Sequence, residues 1–341
     1  MTQEKRNNCL LTGAGFTKNF GGFLTSEFHS HIFNDKRIQS SLRLRDQVQA
    51  DSDFESLYQR VLDGDYTSDE KKSMHEAVVR TYEMLDSAIR RIGFGSDAKN
   101  PVGRRYSKLL DVFLGQKDQM GYVFTLNQDL FLERCYWDHG GPVPLLPGLA
   151  PRELWFSTRF TESLAETERV ALPSERELEK LKASFPSVGR SYYVKLHGSC
   201  NWVGSDGDDR MIIGGQKTAR IAQIPMLDWY FEIFQRVLSQ PNSHLLLIGY
   251  GFGDEHVNKI IAKSVSQCGL SLYILGPDSH DKVRASLDSC TNGKILLSGL
   301  RGYFPHMLAE VFPPAGNAPP TNQWLDIMEI AFGFEIDERY R

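Results

Sequence analysis

Four short stretches of the chain carry residues suited to chemistry on a phosphate-bearing ligand. In Leu11-Thr12-Gly13-Ala14-Gly15-Phe16-Thr17, glycines let backbone amides approach a pyrophosphate ahead of a helix. Lys18 stands where the common dinucleotide fingerprint has its third glycine. Thr125-Leu126-Asn127-Gln128-Asp129 is a polar run that either orients a ligand or forms turns and caps the next helix. Lys195-Leu196-His197-Gly198-Ser199 offers an imidazole, the side chain best suited to take a proton near neutral pH. Gly249-Tyr250-Gly251-Phe252-Gly253-Asp254 is a second candidate phosphate cradle, in which Asp254 could equally be only a helix cap.

Each stretch follows a short apolar run. The runs are 9–11, 122–124, 192–196 and 245–248, and two more follow at 272–275 and 295–297. Apolar runs of this length bounded by Gly, Asn or Asp predict buried strands of a parallel sheet. Helical patterns between them make the chain α/β, with a doubly wound, mostly parallel sheet. The four stretches then fall at carboxyl ends of strands, where open α/β sheets bind ligands. Their joint occurrence carries more weight than any one of them.

The clearest helix spans 69–92. Met74, Val78, Tyr82, Leu85, Ile89 and Ile92 form one apolar stripe, and Thr67 with Glu70 makes a capping box. Further helices are expected over 104–115, 226–239, 255–267 and 322–331. The division that follows is a core of 1–34 and 101–311 with a helical insertion at 35–100. Residues 138–190 form a cap or mobile segment, Pro/Gly-rich at first and then charged from Ser174 to Lys182. Residues 312–341 make a linker and C-terminal helix.

The chain has 341 residues, 39 Lys plus Arg and 43 Asp plus Glu, for a formal charge of −4. No basic excess exists to neutralise phosphates in bulk, so direct nucleic-acid binding is not expected. No apolar run approaches a membrane span, and the N-terminal MTQEKRNN is too polar to open a signal peptide. A cytoplasmic protein is expected. Cys9, Cys135, Cys200, Cys268 and Cys290 are scattered with no CxxC pair, which fits a reducing compartment and excludes a four-cysteine ribbon. His75 and His256 have no partner at metal-ligand spacing, and no metal is expected.

The set resembles the sirtuin family. Thr12 to Thr17 is similar to the family's GAGxS loop, Thr125 to Asp129 to its TQNxD motif, His197-Gly198 to its catalytic His-Gly, and Gly249-Tyr250-Gly251 to its later GTS turn. Gly276-Pro277-Asp278 lies where the family holds the adenosine half. The motifs run in family order from residue 9 to about residue 300.

The resemblance implies a Rossmann-like sheet and NAD as substrate. Gly13, Ala14, Gly15, Phe16 and Thr17 would cradle the pyrophosphate, with Thr125, Gly249, Tyr250, Gly251 and Asp278 as further NAD contacts. Asn127 would hold the nicotinamide ribose, Asp129 the carboxamide end, and His197 would be the base. Two features of the family's protein deacylases are missing, the paired CxxC zinc ribbon and the GIPDFR segment, where this chain reads Phe20-Gly21-Gly22-Phe23-Leu24. Those departures are similar to the zinc-free, sirtuin-like effectors of bacterial anti-phage defence, which hydrolyse NAD to nicotinamide and ADP-ribose. That likeness implies a homo-oligomer or a separate regulatory subunit, either a HerA-type ATPase or a nucleotide-sensing protein. The alternatives are an NAD-dependent deacylase or ADP-ribosyltransferase, and a non-catalytic subunit that senses NAD or ADP-ribose.

Overall fold

A computed structural model describes residues 6–93, 109–110, 112–114, 120–135, 144–149, 164, 169–186, 190–311 and 321–333. Among the described residues nine strands are formed: β1 (Asn7–Thr12), β2 (Gly121–Thr125), β3 (Val170–Ala171), β4 (Ser191–Lys195), β5 (Gly198–Val203), β6 (Asp209–Met211), β7 (Ser243–Ile248), β8 (Ser271–Leu275) and β9 (Leu300–Phe304). Six of them make one sheet in the order β4-β2-β1-β7-β8-β9, and every pairing in it is parallel. The chain starts at β1, runs outward to β2 and β4, then crosses to β7 on the other side of β1. This reversal is the topological switch point at which doubly wound sheets bind ligands. β2 and β4 are buried along their whole length, as both-face coverage by helices requires.

Register aligns the strand ends. Thr12 pairs with Thr125 on one side and Ile248 on the other, and Thr125 pairs with Lys195. The four chemistry-bearing stretches therefore emerge side by side at one edge of the sheet. A second sheet, β3-β5-β6, is built from the chain that follows His197 together with Val170–Ala171.

One expected strand is a helix. Ile295-Leu296-Leu297 lies in the helix Gly293–Gly299, with Leu296 buried and Ile295 exposed. The sixth sheet strand is β9, whose partly exposed residues Leu300 to Phe304 include Arg301. A three-residue apolar run is compatible with either element, and the polar edge strand beside it lacks an apolar signal.

The helices Thr25–Phe33, Phe54–Asp63 and Ser68–Gly93 pack together, with the Phe28 ring stacked on Phe54 at 4.7 Å and edge-on to Tyr82 at 4.8 Å. The stripe Met74, Val78, Tyr82, Leu85 and Ile89 is buried, while the Ile92 side chain lies outside the described residues. Thr67 and Glu70 make the capping box. Of the helix expected over 104–115, residues 109–110 and 112–114 are described and helical. Much of 138–190 and all of 312–320 lie outside the described residues. The charged run there is the helix Glu175–Ala183, opened by a Ser174–Glu177 capping box. Among the described residues no helix is long and apolar enough to cross a membrane.

Candidate active site

The first strand end is shaped by glycine against glycine. Gly13 N donates to Ile248 O and Gly15 N to Gly249 O, at 3.0 and 3.1 Å. A Cβ on Gly13 would stand 2.5 Å from Gly249 O, and one on Gly249 only 2.0 Å from Phe16 N. Gly249 also has φ +69°, the left-handed region that favours glycine. The β1 and β7 loops can approach only because neither carries a side chain there. Gly249→Ala is expected to lower stability by about 3 kcal/mol or more, from backbone strain plus the clash, read as a lower urea midpoint. An unchanged midpoint would refute the close approach.

Thr17 joins the first and second strand ends. Asn127 Nδ2 donates to Thr17 Oγ1 at 2.7 Å and to Gly13 O at 3.0 Å, and Thr17 Oγ1 donates to Asp129 Oδ2 at 3.0 Å. The Gly13 carbonyl can only accept, so the Asn127 amide orientation is determined. Both bonds use the nitrogen, which leaves Oδ1 for a ligand. Thr125 closes the same corner: its Oγ1 accepts from Thr12 Oγ1 at 2.9 Å and from Asn127 N at 3.1 Å.

Asp129 is buried, with Oδ2 held by Thr17 and Oδ1 accepting from Phe131 N at 2.9 Å. Burial is the largest influence on it and pushes its pKa up to about 6, against the opposing pull of the Lys195 ammonium. Lys195, wholly buried, donates to the Asp129 carbonyl at 2.5 Å and to Glu133 Oε1 at 2.9 Å. Gln128 faces inward, accepting from the Tyr82 hydroxyl and donating to Ile212 O at 2.6 Å.

His197 is 4% exposed. Burial drives its pKa down to about 3, against the pull of Asp254, so the imidazole is neutral at working pH. His256, which sequence spacing left without a partner, places Nε2 2.9 Å from His197 Nε2. Asp254 stands at the N-terminal position of the helix Glu255–Cys268, but its side chain does not cap it. It pairs with Lys217 at 2.7 Å and lies 4.0 Å from His197 Nε2. Lys217 also pairs with Glu55 at 2.7 Å. Burial alone would lower the Lys217 pKa, but the two carboxylates outweigh it and hold the ammonium charged. Burial raises the pKa of Glu55.

Thr17, Asn127, Gln128, Asp129, His197 and Glu55 meet at one cleft. Its walls include Ala14, Thr17, Phe23, Thr25, Phe54, Glu55, Tyr82, Asn127, Asp129 and His197. Phe54, Glu55 and Tyr82 come from helices that sequence reading set apart as an insertion. Glu55, Lys217, Asp254 and His256 are residues that sequence reasoning missed as site members. Only the acidic and basic residues flanking the glycine turn hinted at them.

Other expected contacts take different places. Phe16 is buried beneath the loop, edge-on to Phe20 and Phe131 at 5.7 Å, so its ring belongs to the core. The Tyr250 hydroxyl donates to Asn258 Oδ1 at 2.7 Å, and Gly251 is exposed with open space around it. Asp278 is exposed beyond β8 and pairs with Lys282, apart from the cleft walls.

The protein is thus of the doubly wound, Rossmann-like α/β class, with an amide–hydroxyl–carboxylate chain and a buried neutral imidazole at its switch point. Residues 121–292, about half of the chain, match the model of the family described as SIR2-like domain, and the chain belongs to that family. The matched region holds Asn127, Asp129, His197 and Gly249, and membership points to chemistry on NAD. No curated protein matches the chain.

Proposed function

We propose that the protein is an NAD glycohydrolase that cleaves NAD to nicotinamide and ADP-ribose. The observation that carries this reading is the convergence of Asn127, Thr17, Asp129 and His197 on one cleft of a SIR2-like fold, in a chain without any CxxC pair. Breaking the nicotinamide–ribose bond develops positive charge on the ribose. Asn127 Oδ1 accepts from a ribose hydroxyl or the attacking water, and the neutral imidazole of His197 takes the proton that is released. The Thr17–Asp129 chain prevents Asn127 from turning, so orientation is established before the reaction. Phe54 and Tyr82 add aromatic walls to the cleft.

Purified protein given NAD, alone and with the products of its genomic neighbours, is expected to release nicotinamide and ADP-ribose in equal amounts. NAD consumption only with an acyl-lysine peptide or another acceptor would replace this reading with a transferase or deacylase. Tight NAD binding without turnover would replace it with a sensor. The absence of the deacylase hardware supports a role as an anti-phage effector that depletes NAD. In that role the chain acts in the cytoplasm, held inactive in a homo-oligomer or by a HerA-type ATPase or nucleotide-sensing subunit.

The pH profile separates the two titrating groups. Lowering pH through about 6 protonates Asp129, which removes the acceptor for Thr17 and loosens Asn127. His197 protonates only near pH 3. The acid limb of kcat is therefore expected near pH 6 and to disappear in Asp129→Asn, at a lower plateau. A limb that survives in that variant would assign it to another group.

A further inference from the structure

His197, His256 and Asp254 point ligand atoms at one another in a way that hydrogen bonding alone does not require. The two Nε2 atoms are 2.9 Å apart, Asp254 Oδ1 is 4.0 Å from His197 Nε2, and all three ligand atoms lie within 4.8 Å of one another. We propose that these three side chains form a binding site for a transition-metal ion of the zinc class, and that the filled site disables His197.

Two imidazoles and one carboxylate are a donor set for zinc-class ions and a poor one for magnesium or calcium, which prefer all-oxygen ligands. Ligands about 2.0–2.1 Å from a tetrahedral zinc ion stand ~3.3 Å apart. The imidazoles need to part by only a few tenths of an ångström, and Asp254 Oδ1, 4.0 Å from His197 Nε2 and within 4.8 Å of the His256 ligand atom, needs to close by roughly 0.7–1.5 Å. Asp254 and His256 sit two residues apart where the helix Glu255–Cys268 begins, so one rigid element presents two ligands to the end of β4. Asp254 does not cap that helix; its Oδ1 pairs with Lys217, an ammonium that a bound metal ion would have to displace. Charge also permits a cation: Asp254 and Glu55 against Lys217 leave the group with one net negative charge. Glu255 and Lys259, which also face His256, pair with each other and cancel. Three protein ligands leave one of the four positions of a tetrahedral ion open.

Binding rests on this geometry alone, whereas its consequence rests on the reading of His197 as the base. A metal ion on Nε2 occupies the lone pair that would accept the proton, so the zinc-bound enzyme is the inactive one.

The test uses the full, untagged chain stripped with chelator and titrated with Zn2+ by calorimetry and with Co2+ by visible absorption. One ion per chain and a Co2+ spectrum of four-coordinate nitrogen and oxygen ligands are expected. His256→Gln and Asp254→Asn should each weaken binding by at least about tenfold and abolish that spectrum. His75→Gln, at an imidazole bonded to Tyr58 elsewhere, should change neither. Retained affinity and spectrum in both His256→Gln and Asp254→Asn, with thermal unfolding showing folded protein, would overturn the site. Nicotinamide release should fall as Zn2+ fills the site and return on chelation. Release unaffected by a filled site would overturn the disabling step. A chain that cleaves no NAD in any state would remove the proposed function, while the metal titration still decides the site.

Discussion

Nicotinamide release is expected to fall by about 10²- to 10⁴-fold in His197→Ala, the usual span for loss of a positioned general base. Asn127→Ala should fall at least as far, because it removes the Oδ1 acceptor and also frees Thr17 and the Gly13 carbonyl. The two losses should not add, since a base is useful only on a substrate held in place. Asn127→Asp is informative as well. It keeps the shape but presents an oxygen to the Gly13 carbonyl, so the loop should be repelled and NAD affinity should drop with the rate. Product formation followed by chromatography, with circular dichroism to confirm folding, decides the matter. Turnover surviving in both alanine variants would end the assignment.

The second large effect lies beneath the cleft. Lys195 is wholly buried and meets Glu133, also buried, at 2.9 Å. Among the described residues Glu133 Oε2 has no hydrogen-bond partner, so Lys195 is the cation that offsets this carboxylate. Lys195→Met leaves two carboxylates, Glu133 and Asp129, buried without a cation. Breaking a buried pair from one side costs about 3–5 kcal/mol, and this loss is expected in the urea midpoint at neutral pH. Adding Glu133→Gln to Lys195→Met should recover much of it, because the uncompensated charge goes with the glutamate. A single variant within about 1 kcal/mol of the parent would show the pair to be energetically idle. The consequence reaches the site, since Lys195 also helps to hold Asp129 ionised beneath Thr17.

The parallel sheet was legible because buried strands must be apolar and must stop at residues that tolerate turns. Cys9–Leu11, Tyr122–Phe124, Tyr192–Leu196 and Leu245–Ile248 all show this. Ile295–Leu297 misled for the same reason, since a short helix that buries one leucine has the same composition as a strand. The long helix was legible from its 3.6-residue stripe and its capping box. Asp254 stayed open between ligand cradle and helix cap, because an acidic residue before a helix reads as a cap wherever no tertiary partner is known. Lys217 outbids the helix amides for its carboxylate, since an ion pair in a partly buried setting is stronger than a neutral hydrogen bond.

The sequence by itself determined which atoms are available: glycines where two loops touch, an amide and a carboxylate at one strand end, an imidazole at the next, and no cysteine pairs. Those properties depend on residue type and on a spacing of two or three along the chain. Tertiary structure alone decided which of them meet. Thr17 bridges Asn127 and Asp129 across more than 100 residues, and His256 reaches His197 across 59. Glu55 enters the cleft from a helix that no local pattern ties to the sheet. Such contacts follow from strand order and register, which place β1, β2, β4 and β7 ends side by side. Order and register are set by the burial of the whole sheet, a property distributed over the chain and carried by no motif.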